Sequence, residues 1–229
     1  MDNLVITAYY PVKTGKHPRS KYNTWIKNFF ECVTCPVILF CDSKTKQKLP
    51  TYSSNITIIE RDFYSFKLMQ EPWKSKWEEF HKIDPEKNIH SSELYAIWGS
   101  KQEFVIEAIK LQEAKCYIWC DIGCFRFKRP GSFKKGIQLI LPGKITCLDV
   151  STLIDVKYPL IGGGVLVGDS NAWHIFSKNY LEELEKDLHG KDQIIYRRIL
   201  NDSNAVFIQP NNEYGDPWFF LCYALSSLI

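Results

Sequence analysis

The sequence predicts an α/β fold in which helices flank a mixed, mainly parallel sheet. Short apolar runs at residues 4–9, 37–41 and 56–59 alternate with segments of helical spacing, as in parallel sheets wound with helices. A further apolar run at residues 115–121 follows a long helical pattern. The chain is 45% hydrophobic with a net charge of +3, which excludes wholesale disorder and does not indicate a nucleic-acid-binding protein.

The remaining elements follow from local spacing and turn residues. A helix is predicted over residues 22–33, where apolar side chains recur every three or four positions. Residues 62–114 are predicted to form an aromatic, charged excursion that ends in one long helix from about residue 94. Later strands are predicted at 137–141, 144–150, 165–167 and 205–208, with helices at 44–48, 169–188, 192–200 and near the end of the chain. We expect one domain over residues 1–229.

Targeting signals and cysteines bear on the compartment. The first residues lack the charged and apolar regions of a signal peptide, and no apolar stretch approaches the roughly 20 residues of a membrane helix. The eight cysteines are expected to be reduced thiols, and Cys32-x-x-Cys35 lacks the second half of a zinc site. We therefore expect a cytoplasmic protein with no transmembrane segment.

Acidic residues follow three of the predicted strands. They are Asp42, Asp121 and Asp149, and ligands in open α/β sheets bind at the carboxyl ends of strands. Asp121 follows a fully apolar strand and precedes Gly123, so its carboxylate needs a cation or a hydrogen-bond donor. The alternative is that Asp121 only accepts hydrogen bonds from backbone amides in its own turn.

Basic residues and glycines lie near the same strand ends. Arg19 and Lys21 follow the first strand, and Arg126, Lys128 and Arg129 follow Asp121, although solvated surface charge is the better explanation for most of them individually. Residues 162–164 are three glycines that lack the lysine of a phosphate-binding loop and indicate close approach of the backbone to a ligand or strand. Asp192 begins a helix after Gly190, where it is either a general base or an ordinary helix cap.

Several segments resemble the HtrL/YibB family of glycosyltransferases. The most specific is the block Asp84-Pro85-Glu86-Lys87-Asn88-Ile89-His90-Ser91-Ser92-Glu93-Leu94-Tyr95-Ala96-Ile97-Trp98, closing on Ser100-Lys101. The others are Thr7-Ala8-Tyr9-Tyr10, Arg19-Ser20-Lys21-Tyr22, Trp119-Cys120-Asp121-Ile122-Gly123, Gly162-Gly163-Gly164 and Lys191-Asp192-Gln193. The resemblance spans nearly the whole chain.

The resemblance implies a glycosyltransferase A-type (Rossmann-like) fold. It also implies an enzyme that uses a nucleotide-sugar donor, with a UDP-sugar as the first expectation, and a glycan or other hydroxyl acceptor. Such enzymes carry an Asp-x-Asp motif that holds a divalent metal on the diphosphate; here Asp121 matches the first position and Gly123 departs at the second. Mn²⁺ or Mg²⁺ is then expected on Asp121, unless a lysine or arginine replaces the metal.

The resulting site assignments cover both substrates. The catalytic base is assigned to Asp192, and the donor site to Thr7, Tyr9, Arg19, Lys21, Asp42, Lys101, Asp121 and Gly123. The acceptor side is assigned to Trp73, Gly163, Gly164 and Gln193. The alternatives are a nucleotidyltransferase, or a non-catalytic carbohydrate- or nucleotide-binding protein on the same fold. The sequence does not fix the oligomeric state.

Overall fold

One seven-stranded sheet organises the chain. In the computed structural model, which describes residues 1–12, 17–154, 160–211 and 216–226, the strand order is β3-β2-β1-β4-β6-β5-β7. The strands are β1 Asn3–Ala8, β2 Val37–Cys41, β3 Ile56–Glu60, β4 Cys116–Cys120, β5 Ile145–Asp149, β6 Ile161–Gly168 and β7 Ala205–Ile208. Strands β1 to β4 pair in parallel, as do β5 and β7, whereas β6 runs antiparallel to both of its neighbours. The predicted mixed, mainly parallel sheet is confirmed.

Helices cover both faces of this sheet. They are α1 Arg19–Cys32, α2 Ser43–Lys46, α3 Trp73–Ile83, α4 Ser92–Gly99, α5 Lys101–Leu111, α6 Gly136–Leu139, α7 Ser170–Lys186, α8 Asp192–Ile199 and α9 Phe220–Ser226. Strands β2 and β4 are buried at every position, as expected for parallel strands with helices on both sides. Within the described residues, no helix combines the length and apolar character needed to cross a membrane.

Alternate residues of the central strands supply two separate cores. Leu4 and Ile6 of β1 pack with α5 and α7 on one face, in a core that includes Phe104 and Trp173. Val5 points to the other face and packs with residues of α1 and α9. This two-residue alternation is the geometry of a strand buried on both sides. The eight cysteine thiols are all free, and six of them are buried.

Two predicted elements are wrong. Residues 137–141 were expected to form a strand, but they overlap the short helix α6, whose Ile137 and Leu139 pack against the core on the α1 side of the sheet. The expected single helix from residue 94 to 114 is divided into α4 and α5 at Ser100. The break lies at Gly99 and Ser100, because glycine and serine extend a helix poorly.

Candidate functional site

A cavity of about 510 Å³ opens at the carboxyl ends of β1 and β4. Strand β1 lies between β2 and β4, so the chain leaves β1 toward one side of the sheet and later returns on the other. Such a reversal in strand order creates a crevice where ligands bind in open α/β sheets. The cavity volume is within the range of roughly 300–1,000 Å³ that small-molecule sites occupy.

Aromatic and charged side chains line the cavity. The aromatic ones come from the segment after β1, from α1, α4 and β4, and from near the chain's end: Tyr9, Tyr10, Tyr22, Trp25, Trp98, Trp119 and Phe219. The charged ones are Arg19, Arg126, Lys101 and Asp121. The cavity therefore combines flat apolar surfaces with cations and one carboxylate.

Asp121 presents its carboxylate to this cavity from the end of β4. Its backbone N–H donates to the carbonyl oxygen of Gly164 at 2.7 Å, and Trp119 Nε1 donates to its Oδ1 at 2.8 Å. Its side chain keeps 35% of its surface exposed. Burial raises the pKa of the Asp121 carboxyl above its usual value, and although Lys101 opposes that rise, Asp192 adds to it.

Lys101 is a buried cation beside Asp121. Its Nζ lies 3.1 Å from Asp121 Oδ1 and 2.8 Å from Asp192 Oδ2, and it donates to the carbonyl oxygen of Gly163 at 2.7 Å. Burial alone would lower the pKa of Lys101, but the two carboxylates raise it above its usual value. A lysine in the first turn of a helix opposes the helix dipole, so its position is explained by these carboxylates rather than by the helix.

Asp192 meets Lys101 from the side away from the cavity. Its side chain is only 7% exposed, and its Oδ1 accepts a hydrogen bond from the Gln193 N–H at 2.8 Å. The acidic group stands at the first position of α8, where the helix dipole favours a negative charge. Asp192 is not among the residues that line the cavity.

Arg126 is positioned by aromatic rings and one carboxylate. Its guanidinium carbon lies 5.3 Å from the ring centre of Trp25 and 4.9 Å from that of Phe219. Asp216 Oδ2 is 3.7 Å from its Nη1, while its Nε is buried with no hydrogen-bond partner among the described residues. Its planar donors suit phosphate or carboxylate oxygens, which Arg binds in pairs.

The structure brings many of the predicted site residues together. Tyr9, Arg19, Lys101, Asp121 and Gly123 line the cavity. Three further predicted residues adjoin this group behind the cavity wall, namely Gly163, Gly164 and Asp192. Gln193 donates from its side chain to the Ile161 carbonyl oxygen at 2.7 Å and so ties α8 to the start of β6.

Four other predicted residues neither line the cavity nor belong to the group behind its wall. Thr7 is fully buried within β1, and Lys21 is exposed on α1. Asp42 caps α2 by accepting the Thr45 N–H at 2.6 Å. Trp73 is buried in the core beside Trp77, with the two ring centres 6.0 Å apart. An aromatic residue in a helix is buried more readily than it lines a site, because burial of its ring stabilises the fold.

Sequence reasoning did not assign Arg126, Trp25, Trp119 or Phe219 to the site. The basic segment after Asp121 was a signal for Arg126, and the two-residue spacing between Trp119 and Asp121 places both on one face of β4. Phe219 comes from the far end of the chain, and nothing local indicates that it reaches the cavity.

Among the described residues, one group of three side chains brings metal-ligating atoms within 4.8 Å of one another, and it lies elsewhere. It consists of Asp84, Glu86 and His90. Asp84 already accepts hydrogen bonds from Tyr95 Oη, His90 Nδ1 and the Glu86 N–H, and Glu86 pairs with Lys191. These contacts explain the cluster as an internal network that connects the segment before α4 to the loop before Asp192.

Comparisons with known proteins find likenesses among solved structures but none in sequence. No protein-family model matches the chain, and no curated protein matches its sequence significantly. The chain is similar to the crystal structure of a glycosyltransferase involved in the glycosylation of the major capsid of PBCV-1. The two share 13% identity at a TM-score of 0.45, over 91% of this chain and 82% of the other. This likeness is too weak to assign an activity, and membership of the HtrL/YibB family stays a prediction.

Proposed function

We propose that the chain is a glycosyltransferase that moves a sugar from a nucleotide-sugar donor to a hydroxyl group of a glycan acceptor. The observation that carries the proposal is the cavity at the switch point between β1 and β4. There one carboxylate, Asp121, and two guanidinium groups, Arg19 and Arg126, line the same cavity among aromatic rings. UDP-sugars are the donors to test first.

Each part of such a donor has a matching surface in the cavity. Diphosphate oxygens suit the guanidinium groups of Arg19 and Arg126. The flat faces of a base or a sugar suit aromatic rings such as Trp25 and Trp98. Sugar hydroxyls suit the Asp121 carboxylate, whose oxygens accept hydrogen bonds.

The reaction requires charge to move toward the diphosphate. The bond between the anomeric carbon and the phosphate oxygen breaks, and its electron pair leaves with the diphosphate. The acceptor oxygen bonds to the anomeric carbon, and its proton passes to a base. Cations aimed at the leaving oxygens stabilise this transition state more than the ground state, which is the requirement for catalysis.

Asp121 is the better placed of the two carboxylates to take the acceptor proton. Its side chain is 35% exposed and faces the cavity, whereas that of Asp192 is 7% exposed behind Lys101. A raised pKa also suits a base that works near neutral pH. Asp192 is then a positioning residue that acts through Lys101, and its assignment as the base remains the alternative.

A thermal-shift panel of nucleoside diphosphates and nucleotide-sugars tests the proposal, because selective binding to the folded state raises the melting temperature. We expect stabilisation by at least one nucleotide, and loss of the response in Arg126→Ala. Lys128→Ala is the matched control, because Lys128 is 71% exposed, lies outside the cavity and pairs with Glu31. If no nucleotide or nucleotide-sugar stabilises the wild-type protein, the proposal is wrong.

A further inference from the structure

The ammonium group of Lys101 contacts oxygens of three neighbouring groups. An ammonium carries three N–H groups, and its neighbours are the Asp121 carboxylate, the Asp192 carboxylate and the Gly163 carbonyl. All these oxygens lie between 2.7 and 3.2 Å from Nζ. A cation that bridges two carboxylates and a carbonyl oxygen has the surroundings of a bound metal ion.

The residues at the end of β4 do not fit a divalent cation in addition to this ammonium. Mg²⁺ and Mn²⁺ prefer oxygen ligands, but both nearby carboxylates already surround Lys101, and the second acidic position of an Asp-x-Asp motif is Gly123. A divalent ion on Asp121 would also stand close to a buried positive charge, and like charges repel strongly at short range.

We infer that the Lys101 ammonium replaces the divalent cation, so that nucleotide binding and transfer at this site do not depend on Mn²⁺ or Mg²⁺. This inference rests on the proposed function and adds that the positive charges at the donor site come from side chains of the protein itself. Lys101 is 3% exposed, and its ammonium already contacts both carboxylates and the Gly163 carbonyl oxygen, so it holds Asp121 and Asp192 in place rather than binding the phosphates.

Arg19 and Arg126 then stabilise the negative charge of the departing diphosphate. Both line the cavity with Asp121, and the Arg126 guanidinium lies against the rings of Trp25 and Phe219. A guanidinium stays charged at all relevant pH values and presents paired donors to phosphate oxygens. Two such groups supply the positive charge that a metal ion contributes in a metal-dependent transferase.

The affinity of the wild-type protein for UDP, measured by calorimetry in EDTA and again in MnCl₂, tests the inference. We expect the two dissociation constants to agree within about twofold, a free-energy difference of about 0.4 kcal/mol. Binding that is about tenfold or more tighter with Mn²⁺ would overturn metal independence. If neither UDP nor any other nucleotide of the thermal-shift panel binds under either condition, the proposed function itself fails.

A second experiment uses Mn²⁺ alone and tests the replacement without any nucleotide. Lys101→Met removes the ammonium and leaves Asp121 and Asp192 around the space it filled. We expect the free-Mn²⁺ signal in electron paramagnetic resonance to fall when this variant is added and to stay unchanged with the wild-type protein. Mn²⁺ binding by the wild-type protein that Asp121→Asn abolishes would contradict the inference. If Lys101→Met does not fold, the wild-type measurements with UDP and with Mn²⁺ still decide the question.

Discussion

A Cβ atom at Gly163 would lie 2.9 Å from Oδ2 of Asp192, the carboxylate oxygen that faces Lys101. Real Cβ atoms essentially never come so close to another heavy atom. The missing side chain at position 163 therefore lets the Asp192 carboxylate reach the ammonium while the Gly163 carbonyl oxygen accepts from the same group. The close packing of Asp192 therefore explains why the residue at position 163, within the run at residues 162–164, is a glycine.

Gly163→Ala should displace the Asp192 carboxylate and weaken its ion pair with Lys101. We expect a loss of about 1–3 kcal/mol in the free energy of unfolding, as for other overpacked sites, measured by urea denaturation. Gly162→Ala is the matched control, because a Cβ there would meet Leu148 and Val150 at 3.4 Å and needs little adjustment. Equal losses in the two variants would show that Asp192 is not the critical neighbour.

Asp121→Asn and Asp192→Asn should differ in their kinetics. If Asp121 takes the acceptor proton, Asp121→Asn should lower kcat by about 10²–10⁴-fold while nucleotide affinity changes much less. Asp192→Asn should lower stability and retain more turnover, because this residue acts through Lys101. The measurement is steady-state transfer with the donor that stabilises the protein best. The reverse ranking of kcat would return the role of base to Asp192.

Asp84 should make stability depend on pH in the acidic range. Although burial favours its neutral form, hydrogen bonds from Tyr95 and His90 lower the pKa of Asp84 from 3.8 to about 2. A carboxyl with a lower pKa in the folded state stabilises the protein above its unfolded pKa, and this contribution disappears as pH falls from about 4 toward 2. It amounts to roughly 2 kcal/mol at neutral pH.

Urea denaturation of the wild-type protein and Asp84→Asn between pH 6 and pH 3 measures this contribution. The difference in unfolding free energy should be largest at pH 6 and should shrink as the solution becomes more acidic. Asp202→Asn is the control, because Asp202 is exposed and its replacement should change stability little at either pH. A difference that does not vary with pH would show that the Asp84 charge contributes nothing.

Local pattern predicted most of the fold. The strands at residues 37–41 and 205–208 have the bounds expected from their apolar runs, because turn residues flank both. The run at 137–141 misled because its apolar residues are equally compatible with a short helix on the face of the sheet. That choice depends on partners distant in sequence, which a local pattern does not contain.

The candidate site likewise contains residues that local sequence predicted and residues that depend on tertiary packing. Asp121, Gly163 and Asp192 were assigned from strand ends, a glycine run and the family resemblance, and the structure gathers all three around Lys101. The cavity wall was harder to predict, because Phe219 and Trp25 meet Arg126 only through tertiary packing. The ion pairs of Lys101 were equally hard to predict from the sequence, because the partners of this residue are 20 and 91 residues away.

Lys101→Met should destabilise the protein strongly, because it leaves the carboxylates of Asp121 and Asp192 without their cation. Loss of one member of a buried ion pair typically costs about 3–5 kcal/mol, and the partial exposure of Asp121 places this case at the lower end. The double variant Lys101→Met/Asp192→Asn also lacks the buried negative charge of Asp192, so part of the lost unfolding free energy should be recovered. Urea denaturation of the wild-type protein, both single variants and the double variant gives the coupling energy. Additive losses would mean that Lys101 and Asp192 do not stabilise each other, despite the 2.8 Å between their charged atoms.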